Sequence, residues 1–264
     1  MPVKVAINGA GGRMGRRLLV LSARDPDVDL VQAIEYSAHP MQGKKIRDFE
    51  PDVESDLSLT PELMPGADVV IDFSSPDGTK TLAKRAEELG IALVIGTTAK
   101  DFEWRAAVKE SSKKVPMIHA QNFSLGVNLV FKVAAQIAKS LGEEFDIEIV
   151  EGHHHHKVDA PSGTAMGIAD SICTEIGRDV KNDLVYGREG QVGKRKSNEI
   201  GVHALRMGSE IGLHTVYYAS EHERIELTHR ASTRDVFAAG AIRAAKWIKG
   251  KSAGYYEMTD VLGL

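Results

Sequence analysis

The segment that most narrows what this chain can fold into is its beginning. Val3-Lys4-Val5-Ala6-Ile7-Asn8 is followed by Gly9-Ala10-Gly11-Gly12-Arg13-Met14-Gly15 and then by a helical pattern over 16–22. A short apolar run of this kind reads as a buried strand. Glycines spaced G-x-x-G-x-x-G allow a tight turn and let backbone approach a ligand closely. A helix opening from that turn presents free N–H groups and partial positive charge to an anion. Residues 30–35 form a second strand pattern ending in Glu35, about twenty residues beyond Gly15, where a carboxylate can accept ribose hydroxyls. The glycines alone could mark only a turn that needs positive φ. With the strand, the helix and the acid they form a dinucleotide-binding fingerprint.

The alternation continues. Strand patterns over 67–73, 92–96 and 115–120 are interleaved with helical ones over 78–89 and 102–112. Strands alternating with helices predict an α/β fold, a Rossmann-type doubly wound parallel sheet. The pattern changes after Asn122. Residues 124–141 read as one long helix with Val127, Val130, Phe131, Ala134 and Ile137 on one face. A strand over 145–150 and a helix over 162–176 follow. Strand patterns over 201–207, 211–219 and 223–229 have hairpin-like spacing, which predicts a second α+β domain built on a mixed or largely antiparallel sheet. Residues 181–199 have little apolar periodicity and read as a mobile loop. Residues 234–248 are helical, with a tail over 255–264.

Composition excludes some function classes. Of 264 residues, 42% are hydrophobic and 27% charged, and the formal net charge is −4, so no basic signature points to nucleic acid. No apolar run reaches transmembrane length, and Met1-Pro2-Val3-Lys4 enters a strand directly with no signal-peptide pattern; the expectation is a cytoplasmic protein with no membrane partner. The single Cys173 excludes an intramolecular disulfide, and its helical spacing with Ile168, Ile172 and Ile176 predicts burial.

The densest chemistry lies in Glu151-Gly152-His153-His154-His155-His156-Lys157-Val158-Asp159-Ala160-Pro161-Ser162-Gly163-Thr164-Ala165. Histidine titrates near neutrality and lysine supplies a point charge. Ser162-Gly163-Thr164 at a helix start offers orphaned N–H groups to a carboxylate or phosphate, with Ser162 as the cap. A tag would sit at a terminus. A metal site is disfavoured because no cysteine lies nearby and Lys157 would set a cation beside the metal; no metal is expected. A solvated loop is the remaining bland reading. Asp159 either holds Lys157 or His156 or merely forms the turn before Pro161. Arg16 and Arg17 read as a solvated helix face, and Arg206 and Arg230 either meet substrate or pair at the surface.

This run resembles the signature E-x-H-H-x-x-K-x-D-x-P-S-G-T-A of the dihydrodipicolinate reductase family of lysine synthesis. Gly9 to Gly15 matches the family's G-x-x-G-R-M-G, Gly96-Thr97-Thr98 its G-T-T, and Ala120-Gln121-Asn122-Phe123-Ser124 its A-x-N-F-S. The resemblance implies a reductase that takes 4-hydroxy-tetrahydrodipicolinate, a small dicarboxylate cyclic imine, to tetrahydrodipicolinate with loss of water. It implies His153 as proton donor or acceptor, Lys157 as proton donor, and His154, Ser162, Gly163 and Thr164 as substrate-binding. It implies cofactor contacts at Gly9, Ala10, Gly11, Gly12, Arg13, Met14, Glu35, Gly96, Thr97, Thr98, Ala120, Gln121, Asn122 and Phe123. It also implies a homotetramer, and three segments: a dinucleotide-binding domain over 1–123, a substrate-binding and oligomerisation domain over 124–232, and a helix and tail over 233–264 that return to the first. The chain departs from the family pattern at three places. His155 stands where Arg is frequent, Tyr36 where members favouring NADPH often carry Arg, and Ser75 where an Arg can precede the proline. The last two favour NADH at least as much as NADPH, although Lys44 and Lys45 lie near enough in sequence to meet a 2′-phosphate. A different two-domain nicotinamide dehydrogenase, of the aspartate dehydrogenase kind, would explain the glycine turn but not the His–Lys run. A non-catalytic nucleotide sensor would need no proton donor.

Overall fold

A computed structural model describes residues 1–98 and 103–264, and the chain divides into two compact units, Met1–Ser124 with Phe237–Leu264, and Leu125–Val236. The first unit opens with β1 (Val3–Asn8), α1 (Arg13–Arg24), β2 (Val28–Ile34), a two-residue β3 (Leu59–Thr60), β4 (Val69–Asp72), α2 (Pro76–Leu89), β5 (Ala92–Ile95), α3 (Glu103–Ser111) and β6 (Pro116–His119). β4 and β5 are buried along their whole length, as strands covered on both faces must be. α1 starts three residues earlier than the periodicity suggests, because the glycine turn passes directly into it with Gly12 as its cap. β3 is too short for any periodicity to show. The expected helix over 102–112 is observed as α3; its first residue, Phe102, lies outside the described residues.

The second unit contains α4 (Leu125–Leu141), β7 (Asp146–His153), α5 (Gly163–Ile176), β8 (Leu184–Tyr186), β9 (Ile200–Arg206), β10 (Leu213–Ala219) and β11 (Arg224–Arg230). Its sheet runs β11-β10-β7-β9-β8, antiparallel across the first two pairs and parallel across the last two. β7 runs three residues further than expected and carries His153 as its last residue. Alternate side chains share a face of a strand. Ile147 and Ile149 therefore pack on Val130, Ala134, Ile168 and Ile172 of α4 and α5, and the same face continues through Glu151 to His153. Tyr218 on β10 closes this core, donating its hydroxyl to the Ala134 carbonyl at 2.7 Å. Cys173 is buried there, and burial pushes its thiol up to about 11.

The reading of 181–199 as a mobile loop is corrected. The segment contains β8, and two of its arginines reach the sheet. Arg188 meets both oxygens of Glu148 at 2.9 Å, and Arg195 bridges Glu148 at 3.2 Å and Asp146 at 2.7 Å. Long-range ion pairs leave no trace in local periodicity.

The chain then returns to the first unit with α6 (Asp235–Ile248), β12 (Gly254–Tyr256) and α7 (Met258–Leu262). β12 adds to the edge of a seven-stranded sheet, all parallel, in the order β12-β6-β5-β4-β1-β2-β3. β1 is flanked by β4 and β2, so the strand order reverses there. Ligands of doubly wound sheets bind at such a switch point, outside the carboxyl ends of the strands.

Candidate active site

In the first unit, the turn after β1 lies at this switch point. Gly9 has φ +76°, and a Cβ on it would stand 2.6 Å from the Phe73 carbonyl oxygen. A Cβ on Gly15 would lie 2.0 Å from the Gly9 oxygen. No side chain caps α1, and its first turn holds no acidic residue, so its N–H groups and dipole remain available to an anion. Glu35 is buried just beyond β2. Its carboxylate accepts the Gly11 N–H at 2.9 Å and the Tyr36 N–H at 3.1 Å, which ties the turn to the second strand. A cavity of about 1300 Å³ opens here, bordered by Gly9, Gly12, Glu35, Tyr36, Phe73 and Ser74. Its size, its glycine floor and its acid fit a dinucleotide.

The other sequence-derived cofactor positions fall around the same strand ends. Ala10 is fully buried and donates its N–H to the Ile34 carbonyl, Arg13 is exposed and Met14 half-buried. Gly96 leaves room for the Phe73 ring, which a Cβ would meet at 2.3 Å. Thr97 is buried and Thr98 exposed. Ala120 and Asn122 are half-buried, Gln121 is exposed, and Phe123 is buried with its ring 5.8 Å from that of Phe73. The reading of Arg16 as merely solvated is corrected. Its Nε donates to the Gly11 carbonyl at 3.2 Å, its guanidinium lies over Phe49, and Glu50 is 3.5 Å away.

Asp72 escaped the sequence reading. It is completely buried at the end of β4, and among the described residues no cation pairs with it. Asn8 Nδ2 donates to it at 2.7 Å, Ser74 Oγ at 2.6 Å and Thr97 Oγ1 at 3.1 Å, and Thr79 donates as well. Burial raises its pKa against these four donors. One carboxyl thus gathers the ends of β1 and β4, the start of α2 and the G-T-T segment.

In the second unit, the His–Lys run is organised by Glu151. This carboxylate has no exposed surface. Arg206 on β9 holds it with two bonds, 3.0 and 2.9 Å, and His153 Nδ1 stands 2.6 Å from Oε2. The Ser162 N–H donates to Oε1 at 3.1 Å. Burial raises the Glu151 pKa, but Arg206 and then His153 outweigh it and hold the carboxyl below its usual range. An ionised carboxylate only accepts, so His153 carries its proton on Nδ1 when neutral, and Nε2 is the nitrogen left for chemistry.

Ser162 caps α5, its Oγ accepting the Ala165 N–H at 3.1 Å, and also meets His214 Nε2 at 3.0 Å. His214 stands opposite Glu151 in the β10–β7 register, with its ring 5.2 Å from that of His153. Burial, then the charge of His153, depresses His214 to about 4, so it is neutral at pH 7. Gly163 is exposed and Thr164 half-buried at the first turn of α5. His154 is half-buried, and desolvation followed by Arg234 lowers its pKa. His155 and His156 are exposed and pack on each other at 3.9 Å. Lys157 Nζ pairs with Asp159 at 2.8 Å, which decides the role of Asp159, and Arg230 pairs with Glu210 at 2.6 Å. Among the described residues, no three His, Cys, Asp or Glu side chains gather as a metal site would require. Glu151 was within reach of sequence reasoning, two residues from His153 on a strand. The sequence singles out Arg206 only as a substrate or surface-pairing residue and His214 not at all, because strand register brings them in.

A doubly wound sheet with a dinucleotide turn, joined in one chain to an imidazole–carboxylate pair beside a serine-capped helix start, fits a nicotinamide-dependent oxidoreductase of two-domain build. The first half matches the family model for the dihydrodipicolinate reductase N-terminus over residues 3–123, and the second half the model for its C-terminus over residues 126–262. The chain belongs to the dihydrodipicolinate reductase family. It is 43% identical to the 4-hydroxy-tetrahydrodipicolinate reductase of Alkalilimnicola ehrlichii, over all of both chains. It is 42% identical to that of Neisseria gonorrhoeae, over all of this chain and 98% of the relative. The fold is shared with a dipicolinate-bound dihydrodipicolinate reductase from Paenisporosarcina sp. TG-14, at TM-score 0.77 and 22% identity over 98% of this chain and 99% of that one. Among the described residues, no helix is long and apolar enough to cross a membrane.

Proposed function

We propose that this chain is a cytoplasmic NAD(P)H-dependent reductase that converts 4-hydroxy-tetrahydrodipicolinate to tetrahydrodipicolinate with loss of water, in the diaminopimelate route to lysine. The observation that carries the reading is the Glu151-anchored His153 beside the α5 start, in a chain that also holds the dinucleotide turn. Residues 9–14, Glu35, 96–98 and 120–123 would hold the cofactor. A reduced nicotinamide held there would supply the hydride that ring C4 of the substrate accepts.

The remaining work falls to side chains. Loss of the substrate hydroxyl as water releases a ring C–H proton while the leaving oxygen gains one, and after hydride addition the ring takes a proton back, so one proton is consumed overall. His153, through Nε2, and Lys157 are the groups able to move these protons. A dicarboxylate brings two negative charges. The Gly163 and Thr164 N–H groups at the α5 start take one carboxylate, and His154 supports the substrate beside it. Asp159 holds the Lys157 ammonium until substrate charge competes for it. His153→Ala and Lys157→Ala should each lower kcat by roughly 10²- to 10⁴-fold. NADH affinity should survive, since the dinucleotide turn belongs to the other unit.

The cofactor reading is that NADH serves at least as well as NADPH. Tyr36 follows Glu35, is largely exposed and offers no charge to a 2′-phosphate. Lys45 is committed to Asp56 at 2.8 Å, and neither it nor Lys44 borders the cavity. Among the described residues the cavity's cations are Lys80, Lys84 and Arg85 on α2, and Arg85 is held by the Leu63 carbonyl and Glu88.

The test is NADH oxidation by purified protein, coupled to the synthase that makes the unstable substrate from pyruvate and aspartate semialdehyde. Dinucleotide binding without turnover in that assay would reject the activity.

A further inference from the structure

We propose that Glu151, held by Arg206, is the positioning residue that couples the proton-transfer imidazole to the carboxylate grip at the start of α5. The proposal deepens the functional reading above and rests on it.

The four acceptor directions of the Glu151 carboxylate are all used. Oε2 takes the His153 Nδ1 hydrogen bond at 2.6 Å and one Arg206 nitrogen at 3.0 Å. Oε1 takes the other Arg206 nitrogen at 2.9 Å and the Ser162 N–H at 3.1 Å. All four partners are donors, and the carboxylate has no exposed surface, so water does not compete. A bidentate guanidinium fixes the plane of the carboxylate as well as its charge. That plane sets where both other partners can lie. The imidazole is oriented with Nε2 forward, and the α5 cap is held against the same group.

Arg206 is itself fixed, because its guanidinium also donates to the Asp159 carbonyl at 2.7 Å. The loop that carries Lys157 is thereby tied to the same carboxylate. A carboxylate behind an imidazole that fixes its tautomer is a recurrent way to prepare a proton-transfer group. Here it also sets the register between that group and the anion site.

Glutamine is the discriminating replacement. It keeps the size of Glu151 but presents an NH₂ to a set of four donors, so at least one bond becomes a donor–donor contact. The experiment compares wild type with Glu151→Gln and Glu151→Asp in the coupled assay, with NADH affinity by fluorescence and the His153 tautomer by ¹⁵N NMR at alkaline pH. Glu151→Gln should lower kcat about 100-fold, raise substrate KM much less, leave NADH affinity within twofold and convert His153 to a tautomer mixture. Glu151→Asp should restore part of kcat and most of the Nδ1–H tautomer. A Glu151→Gln kcat within twofold of wild type overturns the proposal. So does a loss of kcat with the tautomer unchanged, which would mark a structural role only. If Glu151→Gln does not fold, the wild-type tautomer decides: Nδ1–H supports the proposal and Nε2–H overturns it. The NMR readout needs no turnover, so an inactive wild type would reject the reductase reading while the tautomer still tests Glu151.

Discussion

At the scale of single residues, charge placed without water governs this molecule. Glu148 faces away from the α4–α5 core and collects Arg188, Arg195 and His203. Burial raises its pKa, but these partners bring it down to about 2 from an ordinary 4.5. A depressed carboxylate stabilises the fold fully above its unfolded pKa, and that contribution is lost as pH falls through about 2. The shift corresponds to at most roughly 3 kcal/mol. Glu148→Gln should therefore lower the melting temperature by several degrees at pH 7, with a gap from wild type that narrows steadily below pH 4.5. A gap independent of pH would assign the loss to packing instead. Cofactor choice is also decided residue by residue. A 2′-phosphate needs cations, and the position after Glu35 offers Tyr36. Tyr36→Arg should raise kcat/KM for NADPH relative to NADH. A wild-type kcat/KM for NADPH tenfold above that for NADH would defeat the reading, and would direct attention to Lys80 and Lys84 rather than Lys44 and Lys45.

At the scale of elements, the starts of α1 and α5 solve the same problem differently. α5 is capped by Ser162, whose backbone and hydroxyl are both engaged, and leaves Gly163 open. α1 has no side-chain cap, and its first turn is folded back tightly on the strand–helix turn. A methyl on Gly15 would meet the Gly9 oxygen at 2.0 Å and the Ala10 Cα at 2.6 Å, both backbone atoms with nowhere to go. Gly15→Ala should cost about 1–3 kcal/mol of stability and weaken NADH binding at least tenfold. Titration of NADH fluorescence beside a thermal melt checks it; a variant with unchanged affinity and melting temperature would show that the turn relaxes freely. The helix and its glycines were legible in the sequence. That Gly15 packs on the turn's own backbone, and Gly240 of α6 on the Phe123 carbonyl, was not, because these contacts require the folded turn and the returned C-terminal helix.

At the scale of the whole molecule, the second unit covers one face of its sheet with α4 and α5. Alternation puts Val150, Leu205, Thr215 and Tyr217 on the opposite face, and Leu205 is substantially exposed. Neither α4 nor α5 packs on this face, which suits association with further copies, and we propose the homotetramer that the family resemblance implies. Light scattering at micromolar concentration should return about four times the 28.7 kDa chain mass. A mass near that of one chain would reject it.

The parts of this molecule whose signals are local can be read directly from the amino-acid order. Apolar runs, glycine spacing and the acid after the second strand specify a doubly wound sheet and its dinucleotide turn, because strand period, turn chemistry and helix starts are written within a few residues. The His–Lys run and its Ser cap were legible for the same reason. Which distant groups complete them depends on the folded chain. Strand register brings Arg206 and His214 to Glu151, β1, α2 and the G-T-T segment converge on Asp72, and Arg188 and Arg195 fasten 181–199 to β7. Such pairings depend on which strands become neighbours. That follows from how apolar faces are buried across the whole unit, which no local window of sequence contains.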